Sequence, residues 1–316
     1  MPDLGEKLTE QRLEDIRKEL ERVYTEAAKD LHEKARAYLR QFERKDKEKQ
    51  AAVAAGKITE QDRKNWLKGQ VFTGKQWRLK IMQMSKSLVE VERTAVEIVH
   101  GGQIDCFADN ANYFDFRIDR DNNFGGNFTL YDTETVTMLI EEQPELLRRR
   151  YVDGVKCEAW NRKVIYNCIT QGIIQGESIL QIAKRMARDT ASTDMKAMYR
   201  YARTAMTGAQ NAGRIRAMND NIKQGIVVRK VWIAVADDRT RDAHLELDGQ
   251  TADVNEPFDS ELGPIMYPGD PSADDANVWN CRCALGYEYP DKAEAASEYG
   301  DDEDEFEEWL EEHEAA

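Results

Sequence analysis

Cysteine is scarce in this chain: Cys106, Cys157, Cys168, Cys281 and Cys283 are spread over 316 residues. An odd, sparse set of this kind does not make a secreted disulfide framework, and it suits a reducing compartment. Long apolar runs are also missing, so no membrane span is expected. The opening "MPDLGEKLTEQRLEDIRKEL" has no apolar stretch of the kind a secretory leader needs. Only four histidines occur, and His244 is the single one between residues 101 and 312. Nor is there a basic excess of the kind a dedicated DNA binder carries.

Charge, by contrast, is abundant. Charged residues make up 33% and apolar residues 41% of the chain, which points to exposed helices more than to one large core. The net charge of −15 is concentrated at one end: residues 291–316 hold thirteen acids against Lys292, leaving the rest of the chain near neutral. This acidic tail ("DDEDEFEEWLEE") cannot pack against itself at neutral pH and is expected to stay without packed structure.

Periodicity predicts a mostly helical body. Leu13, Ile16, Leu20, Val23, Ala27, Leu31, Ala35, Tyr38 and Phe42 recur in steps of three and four, the signature of one helix face. So long and narrow a stripe needs a partner, either later helices of the same chain or another protein. Leu13, Ile16, Leu20, Val23, Leu31 and Tyr38 are therefore a candidate docking face. Gly56 interrupts the pattern and "TEQD" (59–62) restarts it as an N-cap with an acid at the third position. Helical spacing then runs to Gly101-Gly102, a candidate C-cap. Residues 103–131, rich in Asn, Asp, Phe and Gly, read as an irregular segment. A calcium loop begun at Asp119 would need Gly and Glu where Phe124 and Leu130 stand.

Helices resume over 132–224, the last with small residues Ala202, Ala205, Ala209 and Ala212 on one face. "GIVVRKVWIAVA" (225–236) then switches to strand, and "VWNCRCALGYEY" closes as another. The expected fold is α+β: long amphipathic helices over 1–102, the irregular segment 103–131, a helical region 132–224, a small α+β module 225–290, and the tail 291–316.

Two stretches of that module carry chemistry: "DDRTRDAHLELDGQ" (237–250) and "NCRC" (280–283). His244, Cys281 and Cys283 are three soft ligands, with Asp237, Asp238 or Asp248 as a fourth, so zinc is one reading, although Cys-x-Cys is tighter than the usual spacing. His244 as base with Cys281 as nucleophile is another, but nothing marks an oxyanion hole. The preferred reading is a structural polar cluster with no catalytic residue and no cofactor. In it Asp237 or Asp238 caps a helix begun at "RTRDAHLEL". Arg239 and Arg241 hold carboxylates or carbonyls, His244 satisfies a backbone group, and Arg282 turns to water or to the cluster between two buried cysteines.

The ordered set also resembles a known family. Trp232, Ala234, Asp237 or Asp238, Arg239, Thr240, Arg241, His244, Asp248, Gly249 and Phe258 are followed by Tyr267-Pro268-Gly269-Asp270-Pro271 and Asn280-Cys281-Arg282-Cys283. Upstream stand Ala202-Arg203-Thr204 and Asn211. Over about residues 165–287 this is similar to the phage Mu F-like head morphogenesis (minor capsid) proteins. The resemblance implies a structural virion protein of a tailed bacteriophage, bound at the portal vertex inside the capsid and present in the host cytoplasm during assembly. It implies portal, scaffolding and major capsid proteins as partners, phage DNA for some members, and no enzymatic activity. Basic runs "RKDKEK" (44–49) and "LLRRRY" (146–151) are the local support for a nucleic-acid-binding alternative.

Overall fold

The computed structural model describes residues 2–73, 75–122, 128, 130–175, 177–290 and 302–314, with the side chains at 38, 67–77 and 173–174 outside that description. Its long helices are α1 (Leu4–Ala54), α2 (Glu60–Thr73), α3 (Lys75–Asn122), α4 (Thr133–Glu142), α5 (Gly154–Gln175), α6 (Ile179–Ala187) and α7 (Thr193–Lys223). The module that follows comprises β1 (Arg229–Ile233), α8 (Asp242–Leu245), β2 (Thr251–Asp253), β3 (Phe258–Ser260), β4 (Gly263–Ile265), α9 (Asp275–Val278) and β5 (Ala284–Glu288). A last helix, α10, spans Glu303–Glu314. No described helix is long and apolar enough to cross a membrane. The α+β expectation holds: a helical body precedes a small module with few strands.

Two compact units emerge, and neither is a contiguous stretch of chain. One comprises residues 19–96 and 150–198; the other comprises 1–18, 97–149 and 199–316. Helices α1, α3 and α7 contribute to both, so contiguous sequence blocks are not the units of packing.

In the first unit four helices share one apolar core. Leu31, Ala35 and Leu39 of α1, Ile81, Met84 and Leu88 of α3, Ile165 and Ile169 of α5, and Ile182, Ala183 and Met186 of α6 are all buried together. The stripe on α1 is therefore spent within the chain. Leu20 and Leu31 are buried in this unit, and Leu13 and Ile16 in the other. That corrects the reading of these residues as a face open to another protein. Val23 is half-buried, and the Tyr38 side chain lies outside the described residues. Helix starts are well signalled: Thr59 and Asp62 bond reciprocally ahead of α2, and Ser178 with Gln181 forms a capping box on α6.

The second unit departs most from the sequence reading. Residues 103–122 are not irregular but the continuation of α3, straight through Gly101-Gly102. Gly102 is there for space: a Cβ on it would stand 2.4 Å from Ile16 Cδ1. Asn and Asp disfavour helices because their side chains compete for the backbone, and here that competition is won by tertiary partners. Asn110 donates to Thr9 Oγ1 at 3.0 Å and Asn112 to the Tyr131 carbonyl at 2.9 Å. Phe107, Tyr113, Phe114, Phe116 and Ile118 are buried around the helix, so no single apolar face shows in the sequence.

The acidic tail is also corrected in part. Residues 291–301 lie outside the described residues, but α10 packs on α3. Phe306 packs tilted against Phe116 at 5.4 Å and edge-on against Tyr113 at 5.6 Å, and Trp309 meets Phe128 at 5.7 Å. Asp302 accepts from Arg120 at 2.8 Å. Two aromatic anchors and a charge pair hold a helix whose other face keeps its acids in water.

The module's sheet has order β2-β1-β5, all antiparallel, with Lys230 opposite Tyr287 and Trp232 opposite Leu285. β3 and β4 form a separate hairpin. The strands are three to five residues long, too short to supply much apolar burial.

Candidate functional site

The charged stretch and the Asn-Cys-Arg-Cys stretch do meet, as two neighbouring clusters within the second unit. The outer one centres on Asp237, just after β1. Arg282 reaches it with two parallel bonds, Nη1 to Oδ2 at 2.7 Å and Nη2 to Oδ1 at 2.6 Å. The backbone N–H of Arg239 donates to Asp237 Oδ1 at 3.0 Å, and Thr240 Oγ1 to the same oxygen at 3.2 Å. These donors, the Arg282 guanidinium first, hold the Asp237 carboxyl far below the ordinary carboxylate range.

Asp237 thus closes a turn instead of capping a helix. α8 starts at Asp242 with Arg241 in the cap position and no side-chain cap bond, so the expected cap by Asp237 or Asp238 is not made. Asp238 is exposed. Arg241 donates to the Trp279 carbonyl. Asp248 accepts the Ala234 N–H at 2.8 Å, bracing the end of β1. Asn280 takes φ 58, the left-handed turn that asparagine tolerates, and its N–H donates to Thr204 Oγ1 at 3.1 Å.

The inner cluster is buried. His244, Cys281 and Cys283 offer one ligand atom each, all within 4.8 Å of one another. His244 Nδ1 lies 3.5 Å from Cys281 Sγ and 3.6 Å from Cys283 Sγ. The ring's other nitrogen, Nε2, is 2.9 Å from Asn277 Oδ1, and Asn277 Nδ2 donates to the Gly263 carbonyl at 3.0 Å. That second bond orients the amide so that its oxygen faces the imidazole. In the neutral ring Nε2 then carries the proton, and Nδ1 turns a lone pair toward the sulfurs. His244 therefore satisfies a side-chain amide and not the backbone group expected of it. Trp232 packs edge-on against the imidazole, 5.2 Å between ring centres.

The two sulfurs are unequal. A bond from the Cys281 thiol pulls the Cys283 thiol down, while Cys281, as donor to Cys283 and buried, is pushed up. Cys281 Sγ also accepts the Cys283 N–H at 3.4 Å. Cys283 and Arg282 line a cavity of about 560 Å³, together with Glu6, Leu13, Arg203, Met206 and Gln210.

Asn277 could not be found from sequence, because nothing in "SADDANVWN" marks it. Lys230 was missed as well. It is buried, and its ammonium donates to the Met266 carbonyl at 2.8 Å and the Val254 carbonyl at 3.1 Å, tying β1 to the loops around the hairpin. Burial pushes it down to about 8. The "YPGDP" turn is closed by Asp270, which accepts from the Met266 and Ser272 N–H groups at 3.0 and 2.8 Å. Cations of both basic runs pair with acids of the same chain: Arg148 with Asp275, Arg149 with Glu97 and Arg150 with Glu92, and, in the first run, Arg44 with Glu48 and Lys47 with Glu43.

Comparison with known proteins agrees with this region. Residues 163–286, from within α5 to β5, match the family described as Phage Mu protein F like protein. The chain is 33% identical over 147 residues to the minor head protein GP7 of Bacillus phage SPP1, covering 46% of this chain and 44% of that protein. It is 34% identical over 123 residues to the NAD(+)–arginine ADP-ribosyltransferase EFV of Enterococcus faecalis, covering 38% of this chain and 24% of that one. The chain spans less than half the length of either curated relative. No solved structure matches it. Over residues 163–286 the chain thus matches the Phage Mu protein F like family, and over 147 residues it is similar to a phage minor head protein.

Proposed function

We propose that this chain is a structural minor capsid protein that acts in head assembly of a tailed bacteriophage, seated at the portal vertex with portal, scaffolding and major capsid proteins as its partners. The observation that carries the reading is the likeness to a minor head protein across 147 residues. The polar residues of the module support it, because they bond to one another and to backbone. Asp237 is spent on Arg282, and Asn277 on His244 and the Gly263 carbonyl. Residues so committed brace a fold.

The ADP-ribosyltransferase likeness takes in 24% of that protein. A stretch of this size fits a shared module and carries none of the larger protein's activity across. A DNA-binding role draws little support, since the arginines of the 148–150 run are each paired with an acid of this chain.

The test is a phage lacking the gene, complemented with the intact chain or with an empty plasmid. Infective, DNA-filled heads are expected only with the chain supplied, and the protein should co-purify from lysates with the portal protein. Normal yields of filled heads without it, or absence of the chain from purified heads, would refute the proposal.

A further inference from the structure

We propose that His244, Cys281 and Cys283 bind one zinc ion, with a water molecule from the adjoining cavity as its fourth ligand. The inference concerns a site in the module and does not rest on the head-protein reading.

Geometry is the first support. Zinc held tetrahedrally at about 2.3 Å from sulfur and about 2.0–2.1 Å from nitrogen places those two ligand atoms roughly 3.5 Å apart. The two sulfur–nitrogen distances here are 3.5 and 3.6 Å. Two edges of a tetrahedral face are thus close to their metal-bound lengths, and all three ligand atoms lie within 4.8 Å of one another.

Orientation is the second. A ligating imidazole donates its remote N–H to an oxygen, which fixes the tautomer and aims the lone pair at the metal. Asn277 Oδ1, itself held by the bond from Asn277 Nδ2 to Gly263, is that oxygen. Cys281 Sγ accepts a backbone N–H from Cys283, an interaction that stabilises sulfur as thiolate.

Charge and setting are the third. All three residues are buried, and the Trp232 ring shields the imidazole. On binding, both sulfurs are thiolates and the imidazole stays neutral. Any cysteine proton leaves to solvent, so zinc and its protein ligands sum to zero charge, which suits a buried site. Two sulfurs and one nitrogen form a soft donor set suited to zinc. Among the described residues no fourth His, Cys, Asp or Glu joins the group. Cys283 borders the cavity of about 560 Å³, the source the proposal assigns to the fourth ligand. The ion would join α8 to the segment entering β5, a staple for strands too short to hold each other.

The experiment is elemental analysis of the untagged, full-length chain expressed with zinc supplied, together with the absorption spectrum after cobalt replacement. The expected result is close to one zinc per chain after dialysis and, with cobalt, intense sulfur-to-metal charge-transfer bands with the visible pattern of a four-coordinate ion. Cys283→Ser and His244→Ala should lose the metal, and Asn277→Ala should weaken zinc binding by about 10- to 100-fold. Should those variants fail to fold, the cobalt spectrum of the unaltered chain decides. Folded wild-type protein without metal, with both thiols free to titrate, would overturn the proposal. So would equal zinc content in a folded Cys281→Ser/Cys283→Ser double variant, or a cobalt complex without sulfur bands.

Discussion

Asp115, near the end of α3, should destabilise the folded chain at neutral pH. It is 3% exposed, and its Oδ1 accepts from Asn221 Nδ2 at 2.6 Å. Burial, and then the nearby Asp220 carboxylate, push it up to about 8 from 3.8. Because its folded value lies above the unfolded one, the folded state binds the extra proton. The linked stability is fully present below about pH 4 and is lost as pH rises through 8. One pH unit is worth about 1.4 kcal/mol, so at pH 7 the linkage reaches roughly 4 kcal/mol as an upper limit. Local relaxation leaves about 2–4 kcal/mol.

Asp115→Asn keeps the shape, keeps an acceptor for Asn221 Nδ2, and removes the ionisation. Urea unfolding at pH 7 should therefore show the variant more stable by about 2–4 kcal/mol. At pH 5 that gap should narrow by about 2 kcal/mol, since only the stretch from pH 4 to 5 then contributes. Asp220→Asn should lower the Asp115 titration point, followed by NMR of the side-chain carboxyl carbon. A variant less stable at pH 7, or an advantage of the same size at both pH values, would refute the argument.

Three further outcomes follow from close contacts. A Cβ on Gly213 would stand 2.4 Å from the Phe107 carbonyl oxygen, so Gly213→Ala should push α7 from α3 and cost about 1–3 kcal/mol, read as a lower Tm. Arg214 and Asp3 form a buried pair at 2.6 Å with side chains 0% and 1% exposed, and Asp3→Ala should cost about 3–5 kcal/mol by removing the guanidinium's bonded counter-charge. That loss should resist added salt, because the pair is shielded from it. Phe306→Ala removes the aromatic anchor of α10 between Tyr113 and Phe116, with an expected loss of about 3 kcal/mol and earlier proteolysis of the C-terminal segment.

Much of the helical body was legible because its apolar spacing is regular, as on α1 from Leu13 to Leu39. What the spacing could not reveal was the partner, since any apolar surface satisfies such a stripe. The core of α3, α5 and α6 fills that role over Leu31–Leu39. The second half of α3 misled for a different reason. Its Asn and Asp residues have local preferences against helix, and only distant partners such as Thr9, Tyr131 and Asn221 reverse them. Gly102 likewise reads as a stop signal until Ile16 is seen against it. In the tail, acid content hid the aromatic pair Phe306 and Trp309, spaced for one helix face.

The candidate site was legible in its members and less so in its wiring, and α7 shows why. Its alanines at 202, 205, 209 and 212 form a stripe that apolar periodicity detects. Thr204, Thr207, Asn211 and Arg214 form a second stripe at the same three- and four-residue steps, and all four are buried. Thr207 donates to the Cys281 carbonyl at 2.9 Å, and Asn211 to that of Pro268 at 3.1 Å. Asn211 also accepts the Leu285 N–H at 2.8 Å, and Arg214 donates to the Leu285 carbonyl at 2.7 Å. Thr204 receives the Asn280 N–H. The helix thus acts as an extra edge for the module, meeting backbone groups that its short strands cannot pair among themselves. A buried polar stripe has the same period as an apolar one, so periodicity scored on hydrophobicity alone passes over it. Scored on side chains that bond to backbone, the row from Thr204 to Arg214 marks where the module is fastened. Cys281 is one of the groups it fastens, so the inner cluster takes its geometry from α7 as much as from the strands around it.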